Sequence, residues 1–152
     1  MPQSFETMNG LYLQDLKVGM SAMFGKTVTE ADIAGFAGVS GDTNPIHLHD
    51  GFARTTRFGQ RIAHGMLSGS FISTVIGTKL PGPGCIYVSQ NLKFKAPVRI
   101  GDTVNARVTV TSVDEVRGRI AVETTCTVGN VVVIAGEAVL LVPRRAAPQA
   151  AE

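Results

Sequence analysis

The chain has 152 residues, 44% of them hydrophobic and 17% charged, against roughly 25% charged in an average globular protein. One domain around one core accounts for that length and balance, which excludes a pair of catalytic lobes and excludes disorder over most of the chain. Lysine plus arginine total 14 and aspartate plus glutamate 12, a net charge of +2, with the basic residues scattered in pairs such as Lys93/Lys95, Arg117/Arg119 and Arg144/Arg145 rather than massed on one element, so no nucleic-acid partner is expected.

The first twenty residues have no clear hydrophobic period, and they lack the cationic segment followed by an apolar run that marks a signal peptide. A cytoplasmic location is therefore expected. Ser21 to Val28 reads as a first strand. Thr29-Glu30-Ala31-Asp32 then has the form of a helix start, with Thr29 as N-cap and acids in the first turn, and Ile33, Phe36 and Ala37 follow at helical spacing. That helix should end near Ser40-Gly41, where Asp42-Thr43-Asn44-Pro45 favours an irregular loop. A short helix is expected at Asp50 to Arg57.

Gly65 to Thr78 is an uncharged stretch of fourteen residues, shorter than the roughly 18 needed to cross a bilayer. It predicts a helix from His64 to Lys79, with Met66, Leu67, Phe71, Ile72, Val75 and Ile76 spread round most of its circumference and so enclosed on nearly all sides. Pro81-Gly82-Pro83-Gly84 ends it. From Cys85 onward the period becomes two. Ile86, Val88, Leu92 and Phe94 share one parity, then Val104, Ala106, Val108 and Val110, then Ile120, Val122, Thr124, Cys126 and Val128. Gly129-Asn130 has the spacing of a tight hairpin, and Val131 to Val142 is apolar enough for a central strand.

A strand, helices and then four antiparallel strands define an α+β chain, most simply a twisted antiparallel sheet curled round the long helix. Uncovered sheet edges and one helix side predict association into at least a dimer. Residues 1–143 are expected to form the domain and 144–152 a flexible tail. Cys85 and Cys126, read as strand residues in a reducing compartment, are 41 positions apart with no CxxC spacing, which gives no support to a zinc or redox site.

All three histidines, His47, His49 and His64, fall within eighteen residues. Asp42, Asn44 and His47 lie within six positions, and a turn at Pro45 can fold Asp42 and His47 onto one side of a shared water, as general acid–base chemistry requires. The same residues also make an ordinary Asx turn. His49, beside Asp50, reads as a surface or supporting residue, and His64 as one whose imidazole bonds a loop carbonyl. With His47 and His49 only two apart and no third ligand at a regular spacing, no metal is expected. Gly65 opens the long helix: its amide could stabilise a carbonyl oxygen that gains charge, or its lack of a side chain could serve close packing.

These segments, Phe36-Ala37-Gly38-Val39-Ser40-Gly41-Asp42-Thr43-Asn44-Pro45-Ile46-His47, Phe52-Ala53, Ala63-His64-Gly65-Met66-Leu67, and Phe94-Lys95-Ala96-Pro97-Val98 with Gly101-Asp102, closely resemble the MaoC-like (R)-specific enoyl-CoA hydratases, from about Val18 to Pro143. The resemblance implies a hot-dog fold, a homodimer with its active site near the subunit interface, no cofactor, and reversible hydration of trans-2-enoyl-CoA to (R)-3-hydroxyacyl-CoA. Family members of this single-domain size supply monomers for polyhydroxyalkanoate synthesis. Carried over by position, Asp42 and His47 are the catalytic dyad, Asn44 helps place the water, Gly65 N–H bonds the thioester oxygen and Ser73 lines the acyl pocket. Rival readings are a hot-dog thioesterase, an acyl-carrier-protein dehydratase and a non-catalytic acyl-CoA binding module. Arg54, Arg57, Lys79, Lys93 and Lys95 are unranked candidates for the CoA phosphates.

Overall fold

The computed structural model describes residues 5–146. Strand β1 (Ser21–Thr27) leads into α1 (Glu30–Ser40), two short helices α2 (Pro45–Leu48) and α3 (Asp50–Arg54), and the long α4 (Gly65–Thr78). Strands β2 (Ile86–Phe94), β3 (Thr103–Asp114), β4 (Arg119–Val128) and β5 (Val131–Leu141) follow. All pairings are antiparallel and the order across the sheet is β1-β3-β4-β5-β2. This is the hot-dog arrangement, a curved sheet wrapped round one helix.

The alternating residues place the core. Val104, Ala106, Val108 and Val110 on β3 and Ile120, Val122, Thr124 and Cys126 on β4 are all buried, and they face Leu67, Phe71, Ile72, Val75 and Ile76 of α4. Thr29 starts α1 as expected: its hydroxyl accepts from Asp32 N–H at 3.2 Å while the Asp32 carboxylate accepts from Thr29 N–H at 2.9 Å, a reciprocal cap. Gly41 ends α1 in the left-handed region at φ 77°, a conformation that suits glycine and turns the chain toward Asp42.

Several expectations change. The segment after Asp42 is not wholly irregular, because Pro45 occupies the first position of α2, where its missing N–H is harmless and its fixed φ fits. Helix α3 stops at Arg54 rather than Arg57, and His64 and Lys79 cap α4 rather than belonging to it. Within this chain α4 is not enclosed all round: Met66, Ser70, Ser73 and Gly77 form an exposed stripe, and Met66 is 56% exposed. Strand β2 sits at the sheet edge, bulged between Tyr87 and Ser89, with Ile86, Val88 and Phe94 exposed instead of half-buried. Cys85 precedes β2; Cys126 lies in β4, and both thiols are free.

Arg61 ties the helical segment together. It reaches Glu30 at the start of α1 at 2.8 Å and Asp50 at the start of α3 at 2.7 Å. At the carboxyl end, Arg145, expected in the tail, pairs with Asp15 at 2.9 Å, and Arg144 bonds the carbonyls of Glu115 and Val116. Residues 147–152 of that tail lie outside the described residues.

Candidate active site

Asp42 and His47 meet because each part of the intervening chain is locally satisfied. Ser40 Oγ donates to Phe36 O at 2.6 Å and accepts from Asp42 N–H at 3.1 Å. The Asp42 carboxylate accepts from Asn44 N–H at 3.2 Å, and Asn44 Oδ1 in turn accepts from Ile46 N–H at 3.1 Å, capping α2. His47 then points inward, 8% exposed.

The tautomer of His47 follows from its partner. Nδ1 lies 2.8 Å from the carbonyl oxygen of Ile62, which can only accept, so Nδ1 carries the hydrogen and Nε2 keeps its lone pair. Burial pushes the imidazole below its ordinary pKa of 6.5, with the nearby His64 ring acting in the same direction and the Ile62 bond and the Asp42 charge opposing. His47 is therefore neutral at pH 7 and ready to accept a proton.

His64 completes the cluster. Its Nε2–H donates to the main-chain carbonyl of Asp42 at 2.9 Å, and its ring stacks on that of His47, centroids 3.9 Å apart and planes 30° from parallel. One polar atom from each of Asp42, His47 and His64 lies within 4.8 Å of the others.

These groups line a cavity of about 370 Å³ whose walls include Phe58, Phe94, Val98 and Ile134. Gly65 lines it too. As the first residue of α4, its N–H has no intrahelical acceptor and lies at the positive end of the helix dipole. A side chain on Gly65 would begin 2.6 Å from Phe94 Cε1, so the absence of one also permits close packing. Of the five cationic candidates, Arg57 and Lys95 line the cavity, and both are exposed, which places them at its mouth.

Two expected site residues are elsewhere. Asn44 is not part of the cavity lining, its side-chain oxygen being occupied by Ile46 N–H. Ser73 is on the open stripe of α4, lining a separate groove with Met66, Tyr87 and Val88. The serine at the cavity is Ser68, 1% exposed with its Oγ unpaired. His49 caps α3, its Nδ1 accepting from Phe52 N–H at 3.0 Å. His64 bonds a loop carbonyl as expected, that of Asp42, whereas sequence reasoning assigned no role to Ser68; the spacing of four between His64 and Ser68, one helical turn, was the available signal.

A hot-dog domain that brings a carboxylate and an imidazole beside a helix amide in an apolar cavity has the composition of an enzyme acting on acyl thioesters. The chain matches the MaoC-like domain over residues 16–132 and belongs to that family. It is 59% identical over 134 residues to an (R)-specific enoyl-CoA hydratase of Rhodospirillum rubrum, covering 88% of this chain and 93% of that protein. It is 49% identical over 135 residues to a 3-hydroxybutyryl-CoA dehydratase of Methylorubrum extorquens, covering 89% and 86%. Among solved structures it resembles the (R)-hydratase from A. caviae involved in PHA biosynthesis, with a TM-score of 0.83 and 43% identity over 86% of this chain and 99% of that one.

Proposed function

We propose that this protein adds water reversibly to trans-2-enoyl-CoA, giving (R)-3-hydroxyacyl-CoA. The observation that carries the reading is the neutral His47, its Nδ1–H committed to Ile62 and a ring nitrogen within 4.8 Å of an Asp42 carboxylate oxygen. A water donating to this pair is oriented and made nucleophilic. Its oxygen bonds C3, one of its protons passes to the pair, and the thioester oxygen gathers charge as the double bond shifts. Gly65 N–H stabilises that oxygen. The pair then delivers a proton to C2, and dehydration runs the same steps backward. Asp42 and His47 share the two proton transfers, without separate assignments to each.

The names of the relatives support the same chemistry. The working form is a homodimer: β2 leaves a sheet edge unpaired, and its exposed Tyr87 and Val88 lie beside the open stripe of α4. Two copies pairing along β2 would cover both and close the groove that contains Ser73. No helix among the described residues is long and apolar enough to cross a membrane. A cytoplasmic location fits the free thiols of Cys85 and Cys126.

Incubation with crotonyl-CoA tests the reading. Loss of the enoyl absorbance without free thiol is expected; release of free thiol marks a thioesterase, binding without turnover a binding module, and preference for a carrier-bound substrate an acyl-carrier-protein dehydratase. Sedimentation at micromolar concentration returning a 16.0 kDa species overturns the dimer.

A further inference from the structure

We infer that His64 is a positioning residue for the Asp42–His47 pair, its Nε2–H pinning the main chain of Asp42 and its ring face bracing the imidazole of His47. The inference rests on the hydratase reading for its kinetic test alone.

His64 occupies the N-cap of α4 yet makes no side-chain cap, although that position favours a short oxygen-bearing side chain that accepts from the first-turn amides. Its side chain is directed elsewhere. Nε2–H reaches back 22 residues to the carbonyl of Asp42 at 2.9 Å. The ring, 2% exposed, also packs on Phe36 of α1, centroids 4.8 Å apart, and on His47 of α2 at 3.9 Å. Helices α1, α2 and α4 therefore converge on this one imidazole.

The remaining nitrogen distinguishes a positioning role from filling. Nδ1 of His64 is buried without a partner, a penalty for folding. A phenylalanine would fill the same stack and leave no nitrogen unpaired. What the histidine adds is the bond to Asp42, whose carbonyl lies in the short connection between the left-handed Gly41 and the Asn44 cap. Holding that carbonyl sets the backbone from which the Asp42 carboxylate projects. For His47, the Ile62 bond holds one ring edge and the His64 face fixes the plane, so the two together orient Nε2.

Two substitutions separate the functions. His64→Phe keeps the brace and removes the pin, whereas His64→Gln keeps an N–H donor and removes the ring. In folded protein each should lower kcat for crotonyl-CoA about 10- to 100-fold with KM changed less than about threefold, the pattern of misplaced catalytic groups. The ¹⁵N shifts of the neutral His47 ring provide a readout independent of turnover. Wild type and His64→Phe should give the Nδ1-protonated pattern, and His64→Gln should move toward the average of both tautomers. Unchanged kcat in both variants, a loss confined to KM, an unmoved His47 pattern in His64→Gln, or failure of both variants to fold would each overturn the inference. If the wild-type protein does not hydrate crotonyl-CoA, the hydratase reading fails while the ¹⁵N comparison still decides the role of His64.

Discussion

The ring of Phe94 stands where a side chain on Gly65 would begin, with Cε1 at 2.6 Å and Cδ1 at 2.7 Å from the Cβ position. The last residue of β2 thus closes over the first turn of α4. Gly65→Val should lower both the melting temperature and turnover, the latter by at least about 10², since it displaces the ring and the amide together. Gly65→Ala with Phe94→Leu should recover stability beyond the sum of the single changes, a coupling of about 1 kcal/mol in a thermal double-mutant cycle. Normal turnover by a folded Gly65→Val variant would remove the amide from the reaction.

If Asp42 and His47 act on one water, as proposed, their losses should not multiply. Asp42→Asn and His47→Gln are each expected to reduce crotonyl-CoA hydration by about 10² to 10⁴, and the double variant should stay near the worse single. Thermal unfolding of each variant separates lost chemistry from lost fold. A double variant showing the product of the two losses would assign the residues to independent steps.

The depressed pKa of His47 predicts two pH effects. The unfolded chain binds a proton near pH 6.5 while the folded site resists it, so stability is held above that pH and declines as the pH falls below it toward the lower folded value. The rate constant kcat/KM should fall over the same acid range as His47 loses its lone pair. In His47→Gln this part of the stability profile should flatten; a profile identical to wild type would place the acid sensitivity elsewhere.

Among the described residues, Arg57 and Lys95 stand at the cavity mouth without an ion pair to a carboxylate. Replacing both with alanine should raise KM for crotonyl-CoA roughly three- to tenfold and leave crotonyl-pantetheine, which has no phosphate, unaffected. Equal changes for both substrates would mean that these cations shape the cavity rather than bind CoA phosphates.

His49 is two residues from His47 but serves α3. His49→Gln should keep turnover within a few-fold, and His49→Ala should cost about 1 kcal/mol of stability through the lost cap, measurable as a lower melting temperature.

Much of this architecture is legible in local pattern. The period-two runs of β3 and β4, the Thr29/Asp32 cap and the Gly129-Asn130 turn all depend on neighbours within a few residues. The order of strands does not: β2 pairs with β5, more than forty residues later, and nothing in its alternation marks it as an edge. Helix α4 is apolar nearly all round, so its sequence could not say that Ser73 faces the open groove and Ser68 the cavity. Residue types and spacing raised the meeting of Asp42 and His47, which the structure brings within 4.8 Å, and left an ordinary Asx turn equally open; their pairing as a dyad came from the family resemblance. For Asn44 spacing could not show that its side-chain oxygen would cap α2, since a carboxamide can serve a water or the main chain, and here Ile46 N–H lies within reach. The contact between His64 and the Asp42 carbonyl joins two separated segments and exists only once α1 and α4 pack.

Arg61 lies outside the cavity lining, yet its two carboxylate partners stand at either end of the stretch that contains Asp42 and His47. Glu30 begins the helix leading into that stretch and Asp50 begins the helix leaving it, so one guanidinium closes the chain into a loop like a clasp. Within the clasp Asp42 and His47 share one closed stretch of chain. Changes at Glu30 or Asp50, positions outside the cavity lining, should therefore reach Asp42 and His47 through the backbone.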